Sequence, residues 1–210
     1  LLKEVIEALA PAPGKTIVDC TVGLGGHAEA ILEKLIPGGR LIGIDRDSEA
    51  LQIAGERLRR PGETDVLLMH GNFGDLKAIF EKSNIEKADG FLFDLGVSSM
   101  QFDKAERGFS FRYDAPLDMR MDKEAGLTAE ELIGRAPEAE LSRIIYEYGE
   151  ERFSRRIAKA VVEERKKGRI DTTGKLVDVI MRAVPYKGKH GRVHPATRTF
   201  QALRIAVNDE

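Results

Sequence analysis

Three aspartates and a run of glycines are the residues of this 210-residue chain whose types and spacing could do chemistry. A short apolar run passes straight into Asp19-Cys20-Thr21-Val22-Gly23-Leu24-Gly25-Gly26-His27, and a helical pattern follows. Glycines let a backbone approach a ligand closely, and a helix N-terminus offers N–H groups without helical partners. Asp45 closes a second apolar run 22 residues after Gly23, where a carboxylate can accept both hydroxyls of a ribose. The combination points to a nucleoside cofactor. Gly23-x-Gly25-x-x-Ala28 formally satisfies the dinucleotide fingerprint, with alanine as its third small residue. Asp19, four residues before Gly23, would repel a pyrophosphate but suits the sulfonium and ammonium of S-adenosylmethionine (SAM). Asp94, after a fourth apolar run, adds to the same field. SAM fits this charge better than NAD, and an NAD-dependent oxidoreductase is the enzymatic alternative.

The elements that position these residues follow from periodicity. Thr16–Cys20, Arg40–Asp45, Val66–His70 and Gly90–Leu95 are short, branched and apolar, as strands are. Between them, His27–Ile36, Asp47–Arg60 and Gly74–Ser83 space Ala, Leu and Ile as helices do, with Asp47 and Asp75 placed as N-caps or first-turn acids. Strands this apolar alternating with helices predict a parallel sheet covered on both faces, a doubly wound α/β domain. Beyond Leu95 the alternation stops. Residues 96–126 have no clear period and are expected to form a long ordered loop. Leu141, Ile144, Ile145 and Tyr148 then repeat as one helix face, and Phe153, Ile157 and Val161 as another. Thr173–Val184 forms a further helix ended by Pro185, and after the loop YKGKHGRVH a last helix opens at Pro195. The expected organisation is 1–103 as the first part of the sheet domain, 104–194 as a loop and helical domain, and 195–210 as a helix returning to the sheet domain. Both ends look cut, and four parallel strands leave an open edge, so more strands are expected after residue 210.

Composition narrows the class. With 42% hydrophobic residues the chain can build a core, and no run of about 18 apolar residues suggests a membrane span. The first residues, LLKEVIEAL, are amphipathic and acidic, unlike a secretory signal. A single cysteine excludes a disulfide framework or a cysteine-rich zinc site and suits a reducing cytosol. The net charge of −2 hides an asymmetry: residues 1–150 hold 18 basic and 28 acidic side chains, residues 151–192 hold 13 and 5. A basic block of +8 beside an acidic block of −10 suits a polyanion held by one part of the molecule; a solvated helix face is the alternative.

Other features are weaker. Arg107-Gly108-Phe109-Ser110-Phe111 echoes an aromatic RNA-binding motif, but that motif needs a central strand of another topology. Ser98-Ser99 suggests a nucleophile elbow until Met100 breaks the pattern. His190 and His194 have ligand-like spacing without partners, so they fit a basic, phosphate-contacting loop better than a metal site. Cys20 is expected to be a packed thiol.

From Phe93 the segment FDLGVSSMQFDKAERGFSFRYDAPLDMRMD, with DCTVGLGGHAEAIL, GIDRD, YGEERFSRRIAKAVVEER and HPATRTFQALRIAVNDE, closely resembles the bacterial ribosomal RNA small subunit methyltransferase H family, also called MraW. The resemblance covers essentially the whole chain in the same order. It implies a class I SAM-dependent methyltransferase (Rossmann-like) sheet interrupted by an all-helical domain, and a C-terminal stretch with a motif of the FHSLEDR type that this sequence lacks. It also implies a cytoplasmic rRNA (cytosine-N4-)-methyltransferase, acting on a cytidine in the decoding region of 16S rRNA in the small ribosomal subunit, with no metal. Transferred by position, the family's cofactor contacts fall on Gly25, Gly26, His27, Asp45, Phe73, Asp94 and Gln101. Phe73 could stack on adenine or simply be a core residue. Candidate RNA contacts are Arg107, Arg120, His194 and Arg198 beside the basic block, with Phe109 and Phe111 for an unstacked base. Many amino-methyltransferases carry Asp/Asn-Pro-Pro-aromatic after the fourth strand; here Asp94-Leu95-Gly96-Val97 stands there, and no general base is assigned. The alternative outside enzymes is a noncatalytic RNA-binding protein.

Overall fold

A computed structural model describes residues 1–59, 65–124, 126–185 and 194–210. It resolves into two compact units, Leu1–Gly96 and Val97–Glu210.

The first unit opens with the amphipathic helix α1 (Leu2–Leu9) and then alternates β1 (Thr16–Asp19), α2 (Gly26–Leu35), β2 (Arg40–Asp45), α3 (Ser48–Arg57), β3 (Asp65–His70), α4 (Leu76–Lys82) and β4 (Gly90–Leu92). The four strands are parallel in the order β3-β2-β1-β4. Winding runs outward from β1 to β3 and then restarts on the other side of β1, so β1 and β4 flank the topological switch point. Strand alternation sorts the core onto two faces. Ile17 and Leu41 pack with Ile31, Leu32 and Leu35 of α2, while Val18, Ile42 and Ile44 pack with Cys20 and the α4 side. Gly43 is the one position in β2 where a Cβ would meet Leu68 and Val22, so its lack of a side chain lets the turn after β1 cross the sheet. Asp47 caps α3, accepting from the backbone of Glu49 and Ala50. Asp75 stands at the start of α4 without a side-chain cap bond; Asn72 instead caps the short 3-10 turn Phe73–Asp75.

The second unit holds α5 (Ser99–Asp103), α6 (Ala129–Arg135), α7 (Glu138–Glu147), α8 (Ser154–Arg165), α9 (Thr173–Ala183) and α10 (Ala196–Asn208). The segment expected to be all loop starts with α5 and a 3-10 turn at Ala105–Arg107. Ser98 and Gln101 form a reciprocal capping box, as Thr128 and Glu131 do on α6. The boundary between units falls at 96/97 rather than 103/104, because Phe109, Leu117 and Met119 belong to the helical core. The last helix also departs from expectation: Phe200 and Leu203 bury into that same core, and α10 packs on α6, α7 and α9. Among the described residues no helix is long and apolar enough to cross a membrane.

Candidate cofactor site

In the sheet unit, the carboxyl ends of β1, β2 and β4 bring Asp19, Asp45 and the residues around Asp94 to one side. Asp19 ends β1, is 1% exposed, and accepts from the Thr21 backbone at 3.1 Å. Burial raises its carboxyl to about 7, helped by the charges of Asp45 and Asp94, against the Thr21 hydrogen bond. Asp45 ends β2 and ties two turns together: its Oδ2 accepts from Gly23 N at 2.8 Å and its Oδ1 from Asp47 N at 2.9 Å. Its pKa is also raised, chiefly by burial. Each oxygen keeps a lone pair beyond those bonds, so the residue can still accept from a ligand hydroxyl.

Gly25 is the N-cap of α2, with φ +81 in the left-handed region, a conformation that favours glycine. Gly26 and His27 form the first turn of α2, and His27 Nδ1 lies 3.7 Å from Asp94 Oδ2. Asp94 follows β4, its backbone N–H donating to Thr21 Oγ1 at 2.8 Å, which ties the exits of β4 and β1. Phe73 follows β3 and meets Phe93 edge-on with centroids 5.5 Å apart, while packing beside the α4-side core. The structure therefore brings Gly25, Gly26, His27, Asp45 and Asp94 onto the strand ends of one unit, with Phe73 on the turn after β3. Gln101 lies in the helical unit, 4% exposed, its side-chain oxygen accepting from Ser98 N at 3.0 Å in the α5 cap. Burial pushes the Cys20 thiol up to about 12, as expected of a packed cysteine rather than a nucleophile.

The donor set suits SAM. Three carboxylates at neighbouring strand ends disfavour a pyrophosphate, and the ionised form of Asp19 gains from a nearby cation.

The RNA candidates divide sharply. Arg107 is 1% exposed, and its guanidinium donates to the carbonyls of Arg120 and Met121 at 3.1 and 2.9 Å. Phe109 is 6% exposed within the helical core. Both placements correct the expectation of direct RNA contact: the loop folds inward because its aromatic and aliphatic side chains complete that core. Arg120 is held bidentately by Asp118 at 2.8 and 2.9 Å. Phe111 packs against His194 and Phe200, and the His194 Nδ1 accepts from Ala196 N at 3.1 Å at the start of α10. Arg198 is exposed and donates to Glu150 O at 2.8 Å. His190 and the rest of the 186–193 loop lie outside the described residues. Among the described residues no cluster of His, Cys, Asp or Glu could hold a metal.

A model of the MraW methylase family matches residues 1–210. The chain belongs to this family. Ribosomal RNA small subunit methyltransferase H of Symbiobacterium thermophilum is 52% identical over 210 residues, covering 100% of this chain and 66% of that protein. The protein of the same name from Geotalea uraniireducens is 56% identical over 207 residues, 99% of this chain and 66% of the relative. That from Dehalococcoides mccartyi is 53% identical over 210 residues, 100% and 58%. The chain thus spans between 58% and 66% of the length of these three family members. Overlap with a solved SAM-dependent methyltransferase of Aquifex aeolicus extends over 34% of this chain and 38% of that one, at 20% identity and a TM-score of 0.30; the fold assignment rests instead on strand order and parallel connection.

Sequence reasoning passed over Thr21, whose hydroxyl joins the exits of β1 and β4, and Asn208, which clamps the loop after Arg107. Asn208 accepts from Met121 N and donates to Met119 O, both at 2.7 Å, with Met119 at φ +64. No local pattern marks either residue; only the fold brings their partners near. The capping signature Ser98-x-x-Gln101 was visible, and it locates α5.

Proposed function

We propose that this family member uses SAM to methylate the exocyclic N4 of a cytidine in the decoding region of 16S rRNA, in the cytoplasm. The observation that carries the cofactor half is the carboxylate set Asp19, Asp45 and Asp94 around a glycine turn at a parallel sheet's switch point. The names of relatives up to 56% identical support the rRNA half.

Gly25, Gly26 and His27 would hold the cofactor from the α2 end, Asp45 its ribose hydroxyls, Phe73 its adenine, and Asp19 and Asp94 the positive groups. Bound there, SAM supplies a methyl group activated by its sulfonium. The protein has to do the rest. A cytosine N4 is a weak nucleophile because its lone pair is delocalised into the ring, so it must be unstacked, held in line with the methyl group and drawn toward tetrahedral geometry. Asp94 keeps an exposed carboxylate near His27 and could orient either the cofactor or the amine; no general base is assigned.

Calorimetry with SAM tests the cofactor, and transfer of labelled methyl from SAM into small-subunit RNA, followed by nucleoside analysis, tests the reaction. The expected product is N4-methylcytidine. Label in another nucleoside refutes the cytosine assignment. Binding of NAD instead of SAM refutes the cofactor.

A further inference from the structure

The basic block divides into cations already engaged and cations left available. Of its members, Lys187, Lys189 and Arg192 lie outside the described residues, and Lys166, exposed and in no ion pair with a described residue, stands by itself at the C-terminal end of α8. Lys159 pairs with Glu163, Lys167 and Arg182 with Glu164, Arg169 with Glu130, and Lys175 with Asp171. Arg165 is a structural clamp, donating to the carbonyls of Ile133 and Ala136 at the end of α6. These six neutralise carboxylates or satisfy a helix end, and a polyanion would have to compete for them.

Arg152, Arg155 and Arg156 differ. All three are exposed, and no ion pair joins them to a carboxylate of a described residue. They lead into and open α8 with Lys159, at i, i+3, i+4 and i+7, opposite the buried Ile157, Ala158 and Val161. Phe153 stiffens two of them: the guanidinium carbons of Arg152 and Arg156 sit 4.7 and 5.7 Å from its ring centroid. The neighbouring carboxylate Glu151 is turned inward, 7% exposed and accepting from Phe153 N at 2.8 Å, which leaves Glu150 as the exposed acid of the turn.

The turn before α8 also recruits α10. Arg198 Nη1 donates to Glu150 O at 2.8 Å and Gln201 Nε2 to Tyr148 O at 3.2 Å. Gly149 permits that approach, since a Cβ there would strike the Arg198 carbonyl. Arg198 thus stands exposed at the same corner, with no carboxylate of a described residue paired to its guanidinium.

We propose that this corner, Arg152, Arg155, Arg156 and Arg198 at the junction of α7, α8 and α10, is the surface on which the phosphodiester backbone of the RNA substrate docks. The proposal rests on the rRNA reading above and narrows it. Arginine forks pair bidentately with phosphate oxygens, and a row of them in no ion pair with a carboxylate of a described residue fixes position without reading sequence.

The test compares two triple variants of the full chain, each removing three charges: Arg152→Gln/Arg155→Gln/Arg156→Gln at the corner, and Lys167→Gln/Arg169→Gln/Lys175→Gln among the paired cations. Binding to a small-subunit rRNA fragment is measured across a potassium chloride series, with SAM calorimetry on every variant as the control for folding. The corner variant is expected to lose about tenfold to a hundredfold in RNA affinity near 0.1 M salt and to flatten the log–log salt slope by about 2 to 3, since each neutralised phosphate contributes roughly 0.7–0.9. SAM affinity should hold, and the paired-cation variant should change the slope by less than about 1. If the corner variant keeps the wild-type slope while the wild type binds and methylates RNA, the docking surface is refuted and the rRNA reading stands. Equal losses in both variants also refute it, because general charge would then suffice. If the wild type neither binds nor methylates the RNA, the rRNA reading fails and the docking surface with it.

Discussion

Replacing Asp19 with asparagine separates the charge of the cofactor crevice from its shape. Asparagine keeps an oxygen for the Thr21 N–H, which the aspartate meets at 3.1 Å, but removes the titration. In the protein Asp19 titrates near 7, with burial the main cause. At pH 6 about a tenth of the protein would carry the ionised form, and at pH 8 about nine-tenths. A cationic cofactor prefers the ionised form, so SAM affinity should rise about tenfold between pH 6 and pH 8, with release of close to one proton per SAM bound at the lower pH. Calorimetry in buffers of different ionisation enthalpy reads both quantities. The Asp19→Asn protein should lose this rise and, standing in for the neutral form at every pH, bind SAM about a hundredfold more weakly at pH 8; whatever SAM's own groups contribute is common to both proteins and cancels in the comparison. The same substitution acts on stability with the opposite sign. Between the ordinary 3.8 and about 7 the folded protein holds a proton that the unfolded chain has released, so stability falls as pH rises through that window. By pH 8 the loss approaches about 4 kcal/mol, and Asp19→Asn should therefore melt higher than wild type at pH 8 and level with it near pH 4. Identical pH profiles in the two proteins, or SAM affinity that falls with rising pH, would refute the reasoning.

Three further substitutions test neighbouring parts of the argument. Asp45→Ala removes the acceptor for Gly23 N and Asp47 N as well as for a ribose, so calorimetry should show SAM affinity down at least about tenfold and thermal melting should show a lower Tm. Gly25→Ala places a Cβ at ordinary contact, 3.5 Å from Ala54, so its cost of about 1–2 kcal/mol should come from the left-handed φ alone and appear in the same melts. Arg107→Ala leaves the Arg120 and Met121 carbonyls without their donor inside a packed loop and should destabilise the helical unit by about 2–5 kcal/mol in denaturant titrations. An unchanged midpoint there would return Arg107 to the list of RNA contacts.

Legibility in the sequence followed the range of the interactions. The parallel sheet, its order of strands and helices and the acids at its strand ends could be read because each rests on local periodicity and on one-residue positions after a strand. Asp47 capped its helix as composition suggested, since a cap is satisfied within three residues. Arg107 and Phe109 were misplaced for the converse reason. A loop rich in Arg and Phe looks like a binding surface until α10 and the rest of the helical core supply the partners that bury it, and those partners lie up to about a hundred residues away. The same applies to the basic block. Counting charges gives +8, but which cations remain available depends on Glu130, Glu163, Glu164 and Asp171, and only the fold brings Glu130 to Arg169.

The crevice and the corner pose opposite electrostatic problems, each gathering like charges that the described residues leave only partly compensated. At the strand ends Asp19 is buried beside two other carboxylates, and its ionised form is disfavoured until a cation arrives. At the α7–α8 turn, arginines stack on Phe153 while the nearest buried carboxylate, Glu151, is spent on a backbone N–H. Both arrangements hold like charges together in the free protein, at some loss of stability. A fold selected for stability alone would pair Arg155 with an acid four residues on, as Lys159 is paired with Glu163, and would place asparagine at position 19. That it does neither is what the proposed function predicts, a cationic cofactor held by one unit and a polyanion by the other.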